Sequence, residues 1–532
     1  SLAALLKLYG LSPKIIDYDE QSGKRWHQMG DRTKQMMLDG AVHDSIQTEK
    51  IFYKMLPHVP VNELALIDRT IRMFTEPHAE GDIEALRKVC SDEVNRKEEM
   101  LHELKIKASD LQSAPTFQKL LEAEGVQVEY KYSKTVDKNT GEFKNTPAFA
   151  KTDAFMQDLA DDDNPRVRAL VEARLGVKST LNETRSGRIL RMAERGKLCM
   201  YHHHAGAHTL RPTGGDKMNW VNLPRDGLIR KTICAPSQHK LSIKDFSQFE
   251  LRLCLWLAGQ EDRLQELANG IDIYSDFSTE LYGYPINKKD NEAERYVGKQ
   301  SILLSQYGGG HEKLFGELNF KHKVSVSMEF CERAINIYRK EKYSNVAKMW
   351  KEAGRLLPHM TNKGEFEWKI FKFRDGKCFA PNGSFMFFDH LEFRENKRQI
   401  GGGSWFMEKR PGKWEKMYGA KLVENFVQFL QRCIAADALV RQDKAYPICL
   451  WPYDEFVNVV PEETAEEVHN LMLTDMCKVP VWAKGLPIAA EGMISQLLPT
   501  HPLPTCRLVE VPGHVSRGHY LRRTISVNSL GL

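Results

Sequence analysis

The stretch of residues 240–259 changes its hydrophobic period half-way along, and this change constrains the fold around it. In the first half, Leu241 and Ile243 alternate with polar residues, which is the pattern of a β-strand. From Phe249 onward the apolar residues recur at helical spacing until a glycine closes the stretch. The sequence therefore predicts a strand that leads into a helix, with the carboxylate of Asp245 at the junction.

Taken alone, Asp245 is a carboxylate at a helix entrance. Ser247 is the predicted N-cap, because its hydroxyl can accept from a backbone N–H of the first helical turn. The polar residues Gln248, Glu250 and Arg252 are then solvated positions on an otherwise apolar helix. A catalytic interpretation of this stretch needs support from elsewhere in the chain.

Composition and charge narrow the class of protein. The 532 residues suffice for several domains, and the net charge of +5 permits a polyanionic partner without requiring one. No apolar run is long enough to span a bilayer, no signal-peptide pattern opens the chain, and the ten cysteines form no CxxC pair. We expect reduced thiols in a cytosolic setting. Because the first residue is Ser1, we also expect the sequence to begin inside a longer protein.

The predicted elements indicate an α+β protein. Helices are predicted over most of residues 1–125 and over 166–195, 260–360 and 414–446. β-Structure is predicted over 376–418, with a hairpin turn at Asn382-Gly383, and over 447–461. A polar loop is predicted over 126–165, and residues after Gly492 show no clear pattern.

The segment of residues 196–240 is irregular and basic. It includes Arg211, Arg225 and Arg230 among glycines, prolines and asparagines. Such a segment is typical of a surface that meets phosphates. A solvated loop is the plainer interpretation, and the crowding of cations disfavours it only weakly.

A second informative stretch is a predicted helix that three glycines can end at residues 308–310. Arg295, Lys299, Leu303 and Tyr307 follow one another at intervals of four, so each step advances only about 40° around the helix. Two cations and an aromatic ring on one face suit a triphosphate at one end and a base at the other. For the two cations alone, an amphipathic helix with a basic edge is the plainer interpretation.

The third stretch, Tyr453-Asp454-Glu455, lies at the tip of a predicted hairpin. Adjacent acids in a tight turn are usually solvated turn residues. If this hairpin neighbours the strand that ends at Asp245, however, Asp245 and Asp454 come side by side. Two such carboxylates can hold two Mg²⁺ ions about 3.5–4 Å apart, the arrangement used for phosphoryl transfer.

Together these stretches resemble the motifs of family A (Pol I-like) DNA polymerases of the phage-type branch, over roughly residues 58–492. Asp245–Arg252 looks like the first palm motif, Arg295–Gly308 like the fingers helix that grips the nucleotide, and Tyr453–Glu455 like the last palm motif. Flanking segments are also similar: 63–76, 178–180, 206–211, 222–225, 418–425 and 485–492. The resemblance implies a right-hand polymerase fold, with a palm on an antiparallel sheet and helical fingers and thumb.

The implied domains are a C-terminal remnant of a 3′–5′ exonuclease-like domain (1–57), the thumb (58–178), the first part of the palm (179–259), the fingers with a β-hairpin insertion (260–413), and the second part of the palm with a C-terminal tail (414–532). Asp44 would lie in the remnant's final acidic helix. The family's earlier acidic motifs are absent, so an exonuclease site cannot be complete in this chain. A plain helix with one exposed aspartate is an equally good interpretation.

The resemblance implies a template-directed DNA polymerase with two Mg²⁺ ions as cofactors. Asp245 and Asp454 would ligate the ions, with the carbonyl of Phe246 as a further ligand. Lys299 would neutralise charge on the transferring phosphates and is a candidate to protonate the leaving group. Glu250 resembles the steric gate that fills the space of a ribose 2′-hydroxyl.

Two sets of binding residues follow from the same resemblance. The implied dNTP-binding residues are Arg295, Lys299, Tyr307, Glu250, Gln248 and Leu303. The implied DNA-binding residues are Arg211, Asn222, Arg225, Asn425, Gln428 and Tyr453. Three departures from the family pattern stand out: Tyr453 replaces the usual histidine, Leu210 replaces the glycine of Thr-Gly-Arg, and Leu303 replaces an aromatic of the bacterial relatives, where phage-type members often have leucine.

The expected partners are primer-template DNA, dNTPs and other replisome proteins, with no membrane. We expect a monomer that acts in phage DNA replication in the cytoplasm of an infected bacterium. Two alternative functions stay open. The first is a single-subunit RNA polymerase, which Glu250 disfavours. The second is a catalytically silent DNA-binding subunit, which is disfavoured by the retained residues Asp245, Arg295, Lys299 and Asp454.

Overall fold

The structure is a computed structural model, and the part described comprises residues 1–499 except 137–142, 152, 161, 179–180, 224–226, 323, 363, 389, 396–401 and 411. The predicted DNA-binding residue Arg225 therefore lies outside the described residues. So does most of the C-terminal tail. Within the described ranges, no helix combines the length and the apolar character needed to cross a membrane.

Most of the described chain is helical. The α-helices are α1 (Leu2–Leu8), α2 (Asp31–Met55), α3 (Val61–Thr75), α4 (Ile83–Leu104), α5 (Ala108–Gln112), α6 (Ala114–Ala123), α7 (Ala154–Ala160), α8 (Pro165–Lys178), α9 (Leu181–Ala193), α10 (Phe249–Ala258), α11 (Glu261–Ala268), α12 (Ile273–Tyr282), α13 (Glu292–Ser305), α14 (His311–Gly316), α15 (Met328–Asn336), α16 (Ser344–Gly354), α17 (Leu356–Thr361), α18 (Gly419–Asp443) and α19 (Ala465–Met476).

The strands form several small antiparallel sheets. They are β1 (Glu80–Gly81), β2 (Tyr130–Val136), β3 (Phe143–Pro147), β4 (His202–His203), β5 (Thr213–Gly214), β6 (Ile233–Cys234), β7 (His239–Phe246), β8 (Phe366–Trp368), β9 (Phe371–Arg374), β10 (Lys377–Phe379), β11 (Phe385–Phe387), β12 (Leu391–Glu395), β13 (Gly403–Arg410), β14 (Lys413–Met417), β15 (Ile448–Leu450), β16 (Glu455–Pro461) and β17 (Ala490–Ser495).

The sheet that matters for function has the order β15-β16-β7-β17, and every neighbouring pair in it is antiparallel. Leu241 and Ile243 of β7 are fully buried on one face, as the alternating pattern predicted. The other face is polar but equally buried. There the ammonium of Lys244 donates to Ser242 Oγ (3.0 Å) and Asn458 Oδ1 (2.7 Å) beneath α19.

Helix α13 lies close against α12 in the predicted fingers region. Gly298 makes this approach possible, because a Cβ there would meet the carbonyl oxygen of Tyr274 at 2.5 Å. Helix α18 runs through the centre of the molecule and packs against α10, α16 and α3. Helix α10 follows Asp245 and α18 precedes the hairpin with Asp454. Their packing therefore fixes the two segments relative to each other.

Three predicted boundaries are wrong. The predicted loop over 126–165 contains the hairpin β2–β3 and helix α7, and the chain after Gly492 continues as β17. The predicted helix 414–446 begins only at Gly419, since Lys413–Met417 is the strand β14. Pairing with β13, in which Met417 lies opposite Trp405, overrides the helical pattern of that segment.

The predicted domain limits stay predictions, but the contacts of α3 bear on the one at residue 58. Leu66 and Met73 are each 1% exposed and join the core that contains α10 and α18. The Arg69 guanidinium lies 3.2 Å from Asp443 at the end of α18. Helix α3 therefore packs against α18 and β15, and the predicted thumb limit at residue 58 stays a prediction.

Candidate active site

Asp245 and Asp454 lie at the same end of the sheet, and their joint role as metal ligands stays a prediction. Asp245 is near the end of β7, and Asp454 is in the turn that leads into the neighbouring strand β16. The N–H of Phe246 donates to the Asp454 carbonyl at 3.1 Å. Because the N–H and C=O of a strand residue point toward the same neighbour, the Phe246 carbonyl also projects toward Asp454. The backbones of Asp245, Phe246 and Asp454 therefore lie close together at this end of the sheet.

A buried ion pair supports this end of the sheet. Glu455 lies directly opposite Asp245 in the β7–β16 register, and the Arg230 guanidinium donates to both of its carboxylate oxygens at 2.9 Å. Arg230 is 3% exposed and also donates to the Pro499 carbonyl at 2.8 Å. The sequence suggested a phosphate-facing surface for this basic segment, but Arg230 is buried to neutralise Glu455.

Asp454 is half-buried and lies near other acids. Burial first, and then the negative charge of Glu250, raise the pKa of Asp454 to about 6. The amide of Gln431 on α18 donates to Asp454 Oδ2 at 3.4 Å. Such an acid is poorly compensated by the protein alone, and a bound cation would favour its ionised form.

The donor set fits a hard divalent cation. Mg²⁺ prefers oxygen ligands and is commonly held by one or two carboxylates together with substrate phosphates and water. Across the described residues, no group of three or more His, Cys, Asp or Glu side chains is placed to hold a metal. Asp245, Asp454 and the Phe246 carbonyl would therefore hold metal ions jointly with oxygens from the substrate.

Glu250, the predicted steric gate, is fixed by two donors. The Arg211 guanidinium donates to its Oε1 at 3.0 Å, and the Tyr307 hydroxyl donates to its Oε2 at 3.0 Å. Burial and the charge of Glu250 raise the pKa of Tyr307 well above its usual value, so the hydroxyl remains a donor. The carboxylate is therefore anchored from both the palm side and the end of the fingers helix.

Three of the predicted DNA-binding residues also come together. The Asn222 amide donates to the Tyr453 hydroxyl at 3.3 Å, and the Arg211 guanidinium lies 5.0 Å from the centre of the Tyr453 ring. Arg211 additionally donates to Gln431 Oε1 at 3.4 Å. Tyr453, which replaces the family's histidine, thus contacts the same arginine that holds Glu250.

Helix α18 contributes a residue that the sequence analysis missed. Gln431 bonds to both Arg211 and Asp454, whereas Gln428 donates to Glu424 at 3.3 Å and Asn425 is 2% exposed. Gln428 and Gln431 are three residues apart and share a helix face. That spacing was the available signal, and the DNA contacts of Asn425 and Gln428 stay predictions.

In the structure Arg295 on α13 has an acidic partner, which the sequence did not reveal. Arg295 donates to both carboxylate oxygens of Asp272, at 2.5 and 3.1 Å, and lies 5.4 Å from the Tyr274 ring. Lys299 and Leu303 are half-buried on the same helix, and Tyr307 lies just beyond its end. The cation expected to hold the outer phosphates is therefore engaged by an acid of α12.

The entrance of α10 differs from the prediction of a Ser247 cap. The N-cap is Gln248, whose φ of 50° is left-handed, and no side chain caps the helix there. The Gln248 side chain is hydrogen-bonded to the Tyr274 hydroxyl. Ser247 instead donates its backbone N–H to the Ala489 carbonyl at 2.8 Å, because β17 continues the sheet beside it.

An antiparallel sheet with Asp245 and Asp454 at one end, and with Glu250 bonded to Tyr307 just beyond α13, is the arrangement expected of a polymerase palm. The family model described as DNA polymerase family A matches residues 81–357. The chain belongs to DNA polymerase family A.

Similar proteins agree with this assignment. A DNA polymerase of Bacillus phage SP02 is 27% identical over 287 residues, which are 50% of this chain and 42% of the phage protein. DNA polymerase I of Pseudomonas aeruginosa is 26% identical over 149 residues, which are 27% of this chain and 16% of that enzyme. The matched part thus spans less than half the length of either relative.

A solved structure supports the fold. The POL domain of Pol1 from M. smegmatis, in complex with DNA primer-template and dNTP, matches with a TM-score of 0.64 and 15% identity. The match covers 94% of this chain and 78% of that chain. The α+β right-hand polymerase fold that the sequence predicted is confirmed.

Proposed function

We propose that this chain is a template-directed DNA polymerase that adds dNTPs to a primer 3′-hydroxyl. The observation that carries the proposal is that Asp245, near the end of β7, and Asp454, in the turn that opens the neighbouring strand β16, lie at the same end of the sheet. The anchored Glu250 is connected to that pair through Arg211 and Gln431. Its partners are primer-template DNA and dNTPs, with further replisome proteins, and the chain acts as a monomer in phage replication inside a bacterial cell.

Asp245, Asp454 and the Phe246 carbonyl would hold two Mg²⁺ ions. When bound, such ions activate the primer hydroxyl and stabilise the charge that develops on the triphosphate and the departing pyrophosphate. The chain itself orients the carboxylates. The β7–β16 pairing fixes their backbones, and Arg230 is the ion-pair partner of the neighbouring acid, Glu455.

Helix α13 supplies the cations for the triphosphate. Lys299 neutralises negative charge on the transferring phosphates and gives a proton to the leaving group. Arg295 presents a planar guanidinium that can bind two phosphate oxygens at once, once it exchanges Asp272 for the triphosphate. Leu303, Gln248 and Tyr307 complete the walls of the nucleotide pocket.

Glu250 selects the sugar. Its carboxylate is held by Arg211 and Tyr307, so it cannot swing aside when a 2′-hydroxyl needs the space. Arg211, Asn222 and Tyr453 lie where the end of the primer-template duplex would contact them. The degenerate acceptors of the minor groove let such residues test the shape of a base pair without reading its sequence.

Primer extension with the purified chain tests this proposal. A primer-template with one templating base is offered each dNTP alone, and then each rNTP alone, with and without Mg²⁺. We expect extension only by the complementary dNTP and only with the metal. Efficient rNTP use would favour the RNA polymerase rival, and duplex binding without any extension would favour the silent subunit.

A further inference from the structure

We propose that buried Arg432 is a positioning residue: with Glu63 and His204 it fixes the backbone of Leu210, so that Arg211 stays on the sugar gate Glu250. This inference rests on the proposed function. Arg432 is 2% exposed and follows Gln431 on α18. Nothing in the sequence motifs drew attention to it.

The loop before Arg211 has an unfavourable backbone conformation. Leu210 has a φ of 61°, in the left-handed region that disfavours residues with a β-carbon, and it stands where the family pattern has glycine. The loop is closed by two hydrogen bonds, from Ala207 N–H to the Arg211 carbonyl at 3.1 Å and from Leu210 N–H to the Ala207 carbonyl at 2.9 Å. A conformation of this kind persists only where its surroundings hold it.

Arg432 restrains this loop through hydrogen bonds. Its Nε donates to the Leu210 carbonyl at 3.1 Å, while its two terminal nitrogens donate to the Glu63 carboxylate at 2.7 and 2.5 Å. His204 Nε2 lies 2.7 Å from Glu63 Oε1 at the start of the same loop. Arg432 thus holds the carbonyl of Leu210, and Glu63 joins it to the start of the loop.

The charge state of Glu63 is consistent with a fixed network. Burial by itself would raise the pKa of Glu63, but hydrogen bonds from His204 and Arg432 outweigh it and lower the pKa to about 2. Glu63 therefore remains ionised throughout the physiological range. The partner of the Arg432 guanidinium is therefore a fully charged carboxylate.

Arg211 is consequently held from two sides by neighbouring residues of one helix. Gln431 accepts from its guanidinium at 3.4 Å, and Arg432 fixes the backbone just before it. Only a guanidinium fork can bind a carboxylate with two nitrogens and a carbonyl with the third. A lysine at position 432 keeps the charge but cannot make all three bonds.

The test is sugar discrimination, measured as the ratio of kcat/KM for dNTP to kcat/KM for rNTP. We expect Arg432→Lys to lower this ratio by about 10- to 100-fold, since a small misplacement far from the reacting atoms can have an effect of that size. Glu63→Asp should lower it in the same direction and by less. Thermal unfolding midpoints are measured for every variant.

Arg69→Lys is the matched control. Arg69 is also a buried arginine, 2% exposed, and its ion pair with Asp443 likewise joins α3 to α18, but it does not contact the loop at Leu210. It should keep the wild-type ratio even if its unfolding midpoint falls. Wild-type discrimination in Arg432→Lys, or an equal loss in Arg69→Lys, would overturn the inference. Failure of the wild-type chain to extend primers would instead overturn the proposed function.

Discussion

At the scale of single residues, the acids in and around the site differ in how their charge is compensated. Glu455 is neutralised by Arg230, Glu63 by Arg432, and Glu250 by Arg211. Asp454 instead has a raised pKa. The uncompensated acid is the one expected to bind a cation, and the compensated ones support it.

Glu63→Gln tests the buried network through the pH dependence of stability. The native pKa of about 2 lies below the usual value of 4.5, so the ionised carboxylate adds stability above about pH 4.5 that is lost as the pH falls toward 2. We expect the variant to be about 2–4 kcal/mol less stable at pH 7, because Arg432 loses its buried partner. Urea denaturation should show a smaller gap at pH 4 than at pH 5. A gap that does not narrow would contradict the lowered pKa of Glu63 in the folded protein.

Glu250→Ala tests the sugar gate. Removing the carboxylate opens the space for a 2′-hydroxyl, so we expect the kcat/KM for rNTP to rise by at least about tenfold while that for dNTP falls. The matched control is Glu261→Ala, an exposed acid on the next helix, α11. Single-nucleotide insertion kinetics measure both kcat/KM values. Unchanged rNTP insertion would show that another side chain is the gate.

At the scale of elements, helix α13 is poised by its contact with α12. Asp272 accepts from the Tyr274 backbone N–H at 3.3 Å and from Arg295 at 2.5 Å, so one carboxylate both caps α12 and holds a cation of α13. Burial alone would raise the pKa of Asp272, but these bonds lower it. Transfer of Arg295 from this acid to a triphosphate would couple nucleotide binding to a movement of the fingers.

Asp272→Asn tests that coupling. The neutral amide holds Arg295 less strongly, so we expect the KM for dNTP to fall by about 3- to 10-fold, with kcat altered less. Asp276→Asn is the control, since Asp276 also lies on α12 but pairs with Arg263 and Lys342. A raised KM in Asp272→Asn would mean that Asp272 orients Arg295 permanently and does not compete with the nucleotide.

The elements also show what sequence could and could not predict. The β7–α10 junction, the α13 face and the β15–β16 hairpin are local patterns, so the pairing of the strand that carries Asp245 with the strand that follows Asp454 was predictable. Arg432 and Glu63 are 369 positions apart, and Arg230 and Glu455 are 225 apart. No local sequence pattern indicates such pairs, because their two residues come together only in the folded chain. For the same reason β14, which is a strand through its pairing with β13, was taken for part of α18.

At the scale of the whole molecule, family membership rests on a match over residues 81–357, and the POL-domain structure extends the fold over 94% of the chain. The elements that carry Asp454, Gln431 and Arg432 lie after residue 357. Their fit to the site therefore comes from the geometry of α18 and β16, not from the family match. Asp454, in this later part of the chain, would complete the catalytic pair with Asp245.

The most direct test is single-turnover insertion of one dNTP by Asp245→Asn and Asp454→Asn, with duplex binding measured alongside by fluorescence anisotropy. Each amide keeps the shape of the side chain but loses the charge that would hold Mg²⁺. We predict a loss of insertion rate of at least about a thousandfold in each variant, with the duplex Kd within about twofold of wild type. Asp443→Asn, the partner of Arg69, should insert at nearly the wild-type rate. Insertion within tenfold of wild type by either variant would contradict the assignment of Asp245 and Asp454 as the metal-binding pair.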